Sequence, residues 1–528
     1  MTRPVTSPKF KKHQDDVNLI GTQGMWTRKI YLLPLLGLVG CMVGPDYQKP
    51  EPPETESYTE EPLPSQTVAT PGVKGGHAQV FKVGQDIPQQ WWRLYESPKL
   101  NDLIIHGLEN SPDLKAAEAT LRQAQEDLRS LIGETLYPSV DLELDTGRER
   151  LSSFDSLEGS PGEVLSDFPP QLLDLYNANV SVSYVFDVFG GNRRAIEALR
   201  ADLDFEKYQL QATYLALTSN IVTTAILEGA LRAQIKATKE IIDHETLILD
   251  IIEKQYQFGS VSRFDLLAQR TILSQTRASL PDLENQLAQT RHALAILVGD
   301  YPNAALPEFY LHDLHLPEEL PVSIPSQLIN QRPDIKAAEA LLHEATANIG
   351  VATANLLPTF PITASYGVNS DTLSDFFNSN NIYWDWQASV LQPLFNGGAL
   401  QAQRRSAIAA FDAAFAEYQA AVLMGLQNVA DSLSALDSDA KILQATASAE
   451  ESAREIMSMT KKQYDNGNTN YLDLIYAQTA YQETYLDRIN AQAARYADTA
   501  ALFQALGGPW WSEIEEDEET DEDEDDED

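Results

Sequence analysis

The sequence predicts a mixed α and β membrane protein assembled from two copies of one structural unit. Three observations carry this. SPDLKAAEATLRQAQEDL from Ser111 returns as RPDIKAAEALLHEATANI from Arg332, and YQFGSVSRFDLLAQ from Tyr256 returns as YDNGNTNYLDLIYAQ from Tyr464. Two runs, about 192–257 and 399–464, contain no proline and little glycine. Four segments of about ten residues alternate apolar and polar side chains, which is the period of a strand with two unlike faces. A period of roughly two hundred residues means duplication of a whole unit, far longer than a solenoid or propeller repeat.

The first element, residues 1–40, reads as an export signal. Arg28 and Lys29 precede an apolar run, Ile30 to Gly40, too short to span a bilayer and of the size found in secretory signals. The residues before Met25 fit no such pattern, so Met25 is the expected start of translation. Cys41 is the only cysteine in 528 residues, which excludes an intramolecular disulfide and paired-thiol zinc or redox motifs. Leu38, Val39 and Gly40 resemble the bacterial lipobox, in which the following cysteine is lipidated and becomes the mature N-terminus. The alternative is an ordinary buried cysteine near a cleavage site. Two or more acyl chains on Cys41 anchor stably where one does not, and Met42 in second place implies, by resemblance to lipoprotein sorting, the outer membrane. Residues 41–88 are rich in Pro, Glu, Ser and Thr and are expected to form an extended strap holding the folded body away from the lipid.

The repeats occupy 89–310 and 328–511, joined by a linker at 311–327, and each has the order helix, two strands, long helix, tight turn, helix. Ser111 and Pro112 suit an N-cap and first turn, and Asp113 favours the positive end of the helix dipole. Arg332 is a poor cap, although Pro333 and Asp334 keep the same start. Strands are expected at about 138–147, 177–189, 358–370 and 382–394, the last two carrying Tyr366, Trp384 and Trp386. A soluble β-sandwich shows the same alternation; export and a lipid anchor favour a membrane barrel with its apolar face outward. Each long run reaches roughly 100 Å if continuous at 1.5 Å per residue, and alanine-rich faces suit coiled-coil contacts.

Lys and Arg total 38 against 78 Asp and Glu, a net charge of −40, which argues against binding nucleic acid or anionic lipid through a basic face. Much of the excess lies in the tail at 512–528, where low apolar content and self-repulsion predict disorder. There is no Walker loop, no HExxH and no dinucleotide fingerprint, so neither an enzyme nor a cofactor beyond covalent lipid on Cys41 is expected. His312 and His315 sit close in sequence, but a lone imidazole pair is more often solvated than metal-bound.

Four strands cannot close a barrel, and an open edge cannot rest in hydrocarbon. Several copies pooling their strands remove the problem. The segments CMVGPDYQKP, WWRLYESPKLNDLI, NSPDLKAAEA, VFDVFGGNRRAIEA, QRPDIKAAEALL and QPLFNGGALQAQ, in that order, resemble the TolC-like outer-membrane efflux factors and, among them, the lipoprotein (NodT-type) multidrug efflux channels. That resemblance implies a trimeric channel-tunnel, four barrel strands per protomer over a helical barrel in the periplasm. It implies a passive exit duct for drugs or other small molecules, working with a periplasmic adaptor (membrane fusion protein) and an inner-membrane transporter of the resistance-nodulation-division (RND) type. Two further readings stand beside it: the duct of an ATP-driven protein secretion system, and a lipid-anchored periplasmic coiled-coil scaffold with no pore.

The resemblance places the two helix-to-helix turns at the periplasmic entrance. Asp473 and Asp265 follow them directly, with Tyr476 one turn beyond Asp473. Rings of like charge at a constriction bind cations and couple opening to pH or divalent ions; the alternative is that both carboxylates simply favour a helix start. Gly259 and Gly467 permit the reversals and are the candidate docking turns for the adaptor.

Overall fold

The computed structural model describes residues 42–53, 55, 57–60, 62, 64–151 and 171–508; Cys41, the stretch before it and the acidic tail lie outside them. In chain order the elements are β1 (Val80–Val83), α1 (Pro98–Asn110), α2 (Pro112–Leu136), β2 (Ser139–Leu151), β3 (Gln171–Phe186), α3 (Gly191–Gln257), α4 (Arg263–Leu297), β4 (Glu319–Val322), α5 (Pro325–Gln331), α6 (Pro333–Ala354), β5 (Phe360–Ser370), β6 (Ile382–Ala388), α7 (Ala399–Asp465) and α8 (Tyr471–Leu506). The run from α2 to α4 is repeated from α6 to α8.

The helix starts use unlike devices. Ser111 and Arg332 occupy N-cap positions but neither side chain caps. Arg332 instead reaches Asp334 at 2.6 Å and the Ala505 carbonyl, so it ties the start of α6 to the end of α8. At α3 the Asp187 carboxylate accepts from the amides of Asn192 and Arg193 at 3.2 and 3.0 Å, satisfying free N–H groups of the first turn.

The four long strands form one antiparallel sheet in the order β2-β3-β5-β6. Its register aligns Val140, Val182, Ala364 and Trp386 in one row and Leu142, Val180, Tyr366 and Trp384 in the next. This face is bare: Leu142 is 69% exposed, Tyr366 58% and Trp384 69%. The opposite face carries Asp141, Ser181, Ser365 and Asp385 in one row and Glu143, Asn179, Gly367 and Tyr383 in another. Strand ends differ from those the alternation predicts. β3 stops at Phe186 because Asp187 is committed to capping α3. β6 stops at Ala388, beyond which pairing persists as the Ser389 amide on the Pro361 carbonyl and the Thr359–Leu391 bridge before Pro393, which has no amide to donate.

Helices α3 and α7 are each 67 residues long and pack against α4 and α8. Between sheet and helix tips lies the main core, where Trp91, Tyr95, Leu100, Ile104, Ile221, Phe309, Leu320 and Phe503 are all buried. Tyr95 donates its hydroxyl to the Tyr496 carbonyl at 2.8 Å.

The strap does not hold the body at a distance; it is clamped along it. Val43 donates its amide to the Phe189 carbonyl at 3.1 Å. Arg194, buried at the start of α3, reaches the Val43 carbonyl at 3.2 Å and Asp46 at 2.6 Å. Tyr47 stacks on His343 with centroids 4.3 Å apart. Gly44 has φ +97°, and a Cβ there would stand 2.5 Å from the Gly350 Cα, so the approach requires glycine. Lower down, β1 pairs in parallel with β4, so the linkers at 41–88 and 311–327 share a small sheet. Buried Gln79 donates to the Pro317 carbonyl and the Thr499 hydroxyl, both at 3.0 Å. Buried Arg495 donates to the Gly75 carbonyl at 2.8 Å, Thr67 Oγ1 at 2.9 Å and the His77 carbonyl at 2.6 Å. Long-range bonds to backbone carbonyls hold a segment whose own composition buries little.

Arg495→Met leaves the Gly75 and His77 carbonyls without this donor, whereas Thr67 Oγ1 still accepts the Gln79 amide at 2.9 Å, and it is expected to destabilise the protein by about 3 kcal/mol, measured by chemical denaturation in detergent, with 64–83 becoming protease-sensitive. A second expectation concerns pH. Burial and the neighbouring Asp498 carboxylate push Asp439 up to about 7, against the pull of Arg495. Between about pH 4 and 7 the folded chain therefore holds a proton that the unfolded chain has lost, and stability falls as pH rises through that window. Asp439→Asn should flatten this slope in thermal melts.

Candidate functional site

Each helical hairpin ends in the same turn, built from the same backbone bonds. After α3, Gly259 takes φ +74°, its amide donates to the Tyr256 carbonyl at 2.9 Å, and Ser260 donates to the Gln255 carbonyl at 2.8 Å. After α7, Gly467 takes φ +72°, with Gly467 to Tyr464 at 2.9 Å and Asn468 to Gln463 at 2.8 Å. This is the Schellman termination, whose left-handed position favours glycine. Nothing lies within 4 Å of a Cβ built on either glycine, so conformation alone selects the residue.

The next helices start with matched caps. Ser262 Oγ accepts the Asp265 amide at 3.2 Å while the Asp265 carboxylate accepts the Ser262 amide at 2.9 Å, a reciprocal capping box. Asn470 Oδ1 accepts the Asp473 amide at 2.9 Å, and the Asp473 carboxylate accepts from Thr469 Oγ1 at 2.6 Å. Both aspartates thus serve as third residues of their helices. They differ in access: Asp265 is half-buried beside the tyrosines between the hairpins, whereas Asp473 is exposed. Tyr476, also exposed, lies one turn along α8.

Sequence reasoning missed the bonds that tie one hairpin to the other. Tyr464 of α7 donates to Gln255 Oε1 of α3 at 2.8 Å, and Tyr471 of α8 donates to Gln269 Oε1 of α4. Burial, followed by the Asp265 and Asp465 carboxylates, raises the Tyr464 phenol above its ordinary value. Farther from the tip, fully buried Glu245 accepts from Thr276 at 3.0 Å and Gln482 at 2.7 Å, and burial raises its carboxyl. The available signal was in the repeat: Gly, cap and Asp recur at matching places, whereas Arg263 is replaced by Tyr471. Phe258 and Phe264, 85% and 62% exposed, give the first tip an apolar surface that the glycines alone do not announce.

The two histidines are engaged separately. His312 Nε2 is 3.3 Å from Asp313, His315 uses its backbone amide on the Tyr95 carbonyl at 2.9 Å, and among the described residues no three His, Cys, Asp or Glu side chains are grouped to hold an ion.

With the bare apolar sheet face and the two hairpins in view, comparison with known proteins is direct. The family model described as outer membrane efflux protein matches residues 103–300 and 324–508. The pyoverdine export outer membrane protein OpmQ of Pseudomonas putida KT2440 is 30% identical over 491 residues, covering 92% of this chain and 98% of that protein. The cation efflux system protein CusC of Escherichia coli O6:H1 is 25% identical over 482 residues, covering 91% and 98%. The solved outer-membrane channel OprN superposes with a TM-score of 0.76 at 25% identity, covering 89% of this chain and all of that one. The order of strands and hairpins, the outward apolar face and these matches together make the chain a member of the outer membrane efflux protein family, an outer-membrane efflux duct with a mixed α and β channel fold.

Proposed function

We propose that three copies of this chain join edge to edge into one continuous conduit, about twelve strands across the outer membrane and a helical barrel below it. The observation that carries this reading is the open sheet: β2 and β6 are the outer strands of the order β2-β3-β5-β6, and their faces toward solvent are leucine, valine and tryptophan. Hydrocarbon tolerates such a sheet only if its edge amides are paired. The conduit performs no chemistry; energy comes from an inner-membrane transporter of the RND type, joined through a periplasmic adaptor.

The hairpin tips are the natural contact for that adaptor. Gly259 and Gly467 keep both turns tight and uncovered, and the exposed Phe258 and Phe264 offer apolar area. Asp473 and Tyr476 are proposed to line the entrance, with Asp265 behind them held by its capping box. Cargo is not chosen by the duct. Relatives of similar identity are named for pyoverdine and for cations, so drugs and other small molecules are passed on as the pump selects them.

Cys41 is proposed as the lipid anchor. Met42, its neighbour, lies against Gly190, where β3 passes into α3, so acyl chains on Cys41 would enter the membrane beside the barrel's periplasmic rim. This anchors the rim itself.

Three expectations follow from these assignments. In planar bilayers the wild type conducts, and Asp473→Asn changes its conductance or its block by divalent cations while Asp265→Asn chiefly lowers stability, by up to about 1 kcal/mol, because the charged half of the capping box at the helix N-terminus is removed; unchanged currents in Asp473→Asn reject the gate role. Gly467→Ala, placing a Cβ at positive φ, should destabilise the turn by about 1 kcal/mol and weaken adaptor capture in pull-down. Intact mass of the membrane-extracted chain should start at Cys41 with acyl mass added, and Cys41→Ser should lose it; an unmodified thiol contradicts the anchor.

A further inference from the structure

The sheet sorts its charges by face, and the sorting leaves two arginines outside. Across the described residues of the four long strands the only basic side chains are Arg148 and Arg150 of β2. The continuous register pairs Arg148 with Asp174 and Arg150 with Leu172, which puts both on the same face as Leu142 and Leu144. Asp141, Glu143, Asp145 and Glu149 of β2 alternate to the other face, and Asp385 shares the row of Asp141. Of the strand carboxylates only Asp174 faces outward.

Their height is fixed by the apolar band. On the outward face β3 carries Phe186, Tyr184, Val182, Val180, Ala178 and Tyr176 in succession. Ten residues at about 3.3 Å each, tilted about 40°, span about 25 Å, the height of an outer-membrane barrel's apolar belt. Tyr176 therefore marks the external aromatic girdle, and Arg148 stands one row beyond it. Phosphates of the outer leaflet's glycolipid lie at that level. Arg148 gives Nε and Nη2 to Asp174 at 2.5 and 2.8 Å, which orients its guanidinium, and two of its five N–H donors are so committed. Its side chain remains 69% exposed, and Arg150 is exposed as well.

We propose that Arg148 and Arg150 form a lipid-docking collar that binds the phosphate groups of a phosphorylated glycolipid, lipid A, in the outer leaflet. In a chain of net charge −40, an anionic lipid surface would otherwise repel the barrel rim. Guanidinium suits phosphate because it donates in a planar fork. Asp174 limits the collar by neutralising part of its charge.

The test is native mass spectrometry of the full-length protein in detergent, with diphosphoryl lipid A and, as the matched probe, lipid A of the same acylation lacking both phosphates. Wild type should retain the diphosphoryl lipid preferentially, with about fivefold resting on each arginine. Arg148→Gln with Arg150→Gln should abolish the preference, and Arg148→Lys with Arg150→Lys should keep most of it. Asp174→Asn supplies the opposite sign and does not depend on the double variant folding: it should strengthen retention. Equal retention of the two lipids by wild type, an unchanged double variant, or no gain in Asp174→Asn would overturn the collar.

Discussion

A sheet of four strands whose exposed apolar face is leucine, valine and tryptophan cannot rest in water, and a sheet with two free edges cannot rest in lipid. Each unpaired amide in hydrocarbon costs several kcal/mol, so an edge of even a few residues outweighs the whole stability of an ordinary domain. Both demands are met when β2 of one copy continues the ladder of β6 in the next. The rest of the architecture answers to that closure. The long helices leave the sheet at Asp187 and after Gly398, and they inherit from it the arrangement that a closed ring imposes.

Duplication explains why the two hairpins end alike. Gly259 and Gly467, Ser262 and Asn470, Asp265 and Asp473 occupy equivalent places; the glycine turns and the cap-to-amide bonds are equivalent, whereas the Asp265 carboxylate accepts from Ser262 and the Asp473 carboxylate from Thr469. Their shared role is structural, since each turn must reverse a rod of 67 residues and start another without buried, unpaired amides. Divergence has since separated the tips. Tyr471, where the first repeat has Arg263, reaches across to Gln269, and Tyr464 reaches Gln255, so one hairpin now leans on the other. Asp473 is exposed and Asp265 half-buried.

Much of this was legible because its causes are local. Alternation at Val140, Leu142 and Leu144 follows from the strand period, and a helix without proline from 191 to 257 follows from propensity. Cap and turn residues announced the tips by type and spacing. The strap was not legible, because nothing in its composition distinguishes a tethered extended segment from a docked one. What docks it are Arg194 and Arg495, buried in distant helices and donating to backbone carbonyls, together with Gln79 and strands of four residues, too short to show a period. Within the site, the cross-hairpin bonds of Tyr464 and Tyr471 were equally hidden, since partners more than two hundred residues apart leave no mark in a local window.

The claim on which all else depends is that the edges of β2 and β6 belong to neighbouring copies. The mass of the particle extracted from membranes in mild detergent addresses this most directly, measured by native mass spectrometry after the detergent is stripped. A mass of three chains, persisting at concentrations where weak contacts dissociate, is the result expected. A single folded chain, with its apolar sheet face covered by detergent and its edges unpaired, would contradict it.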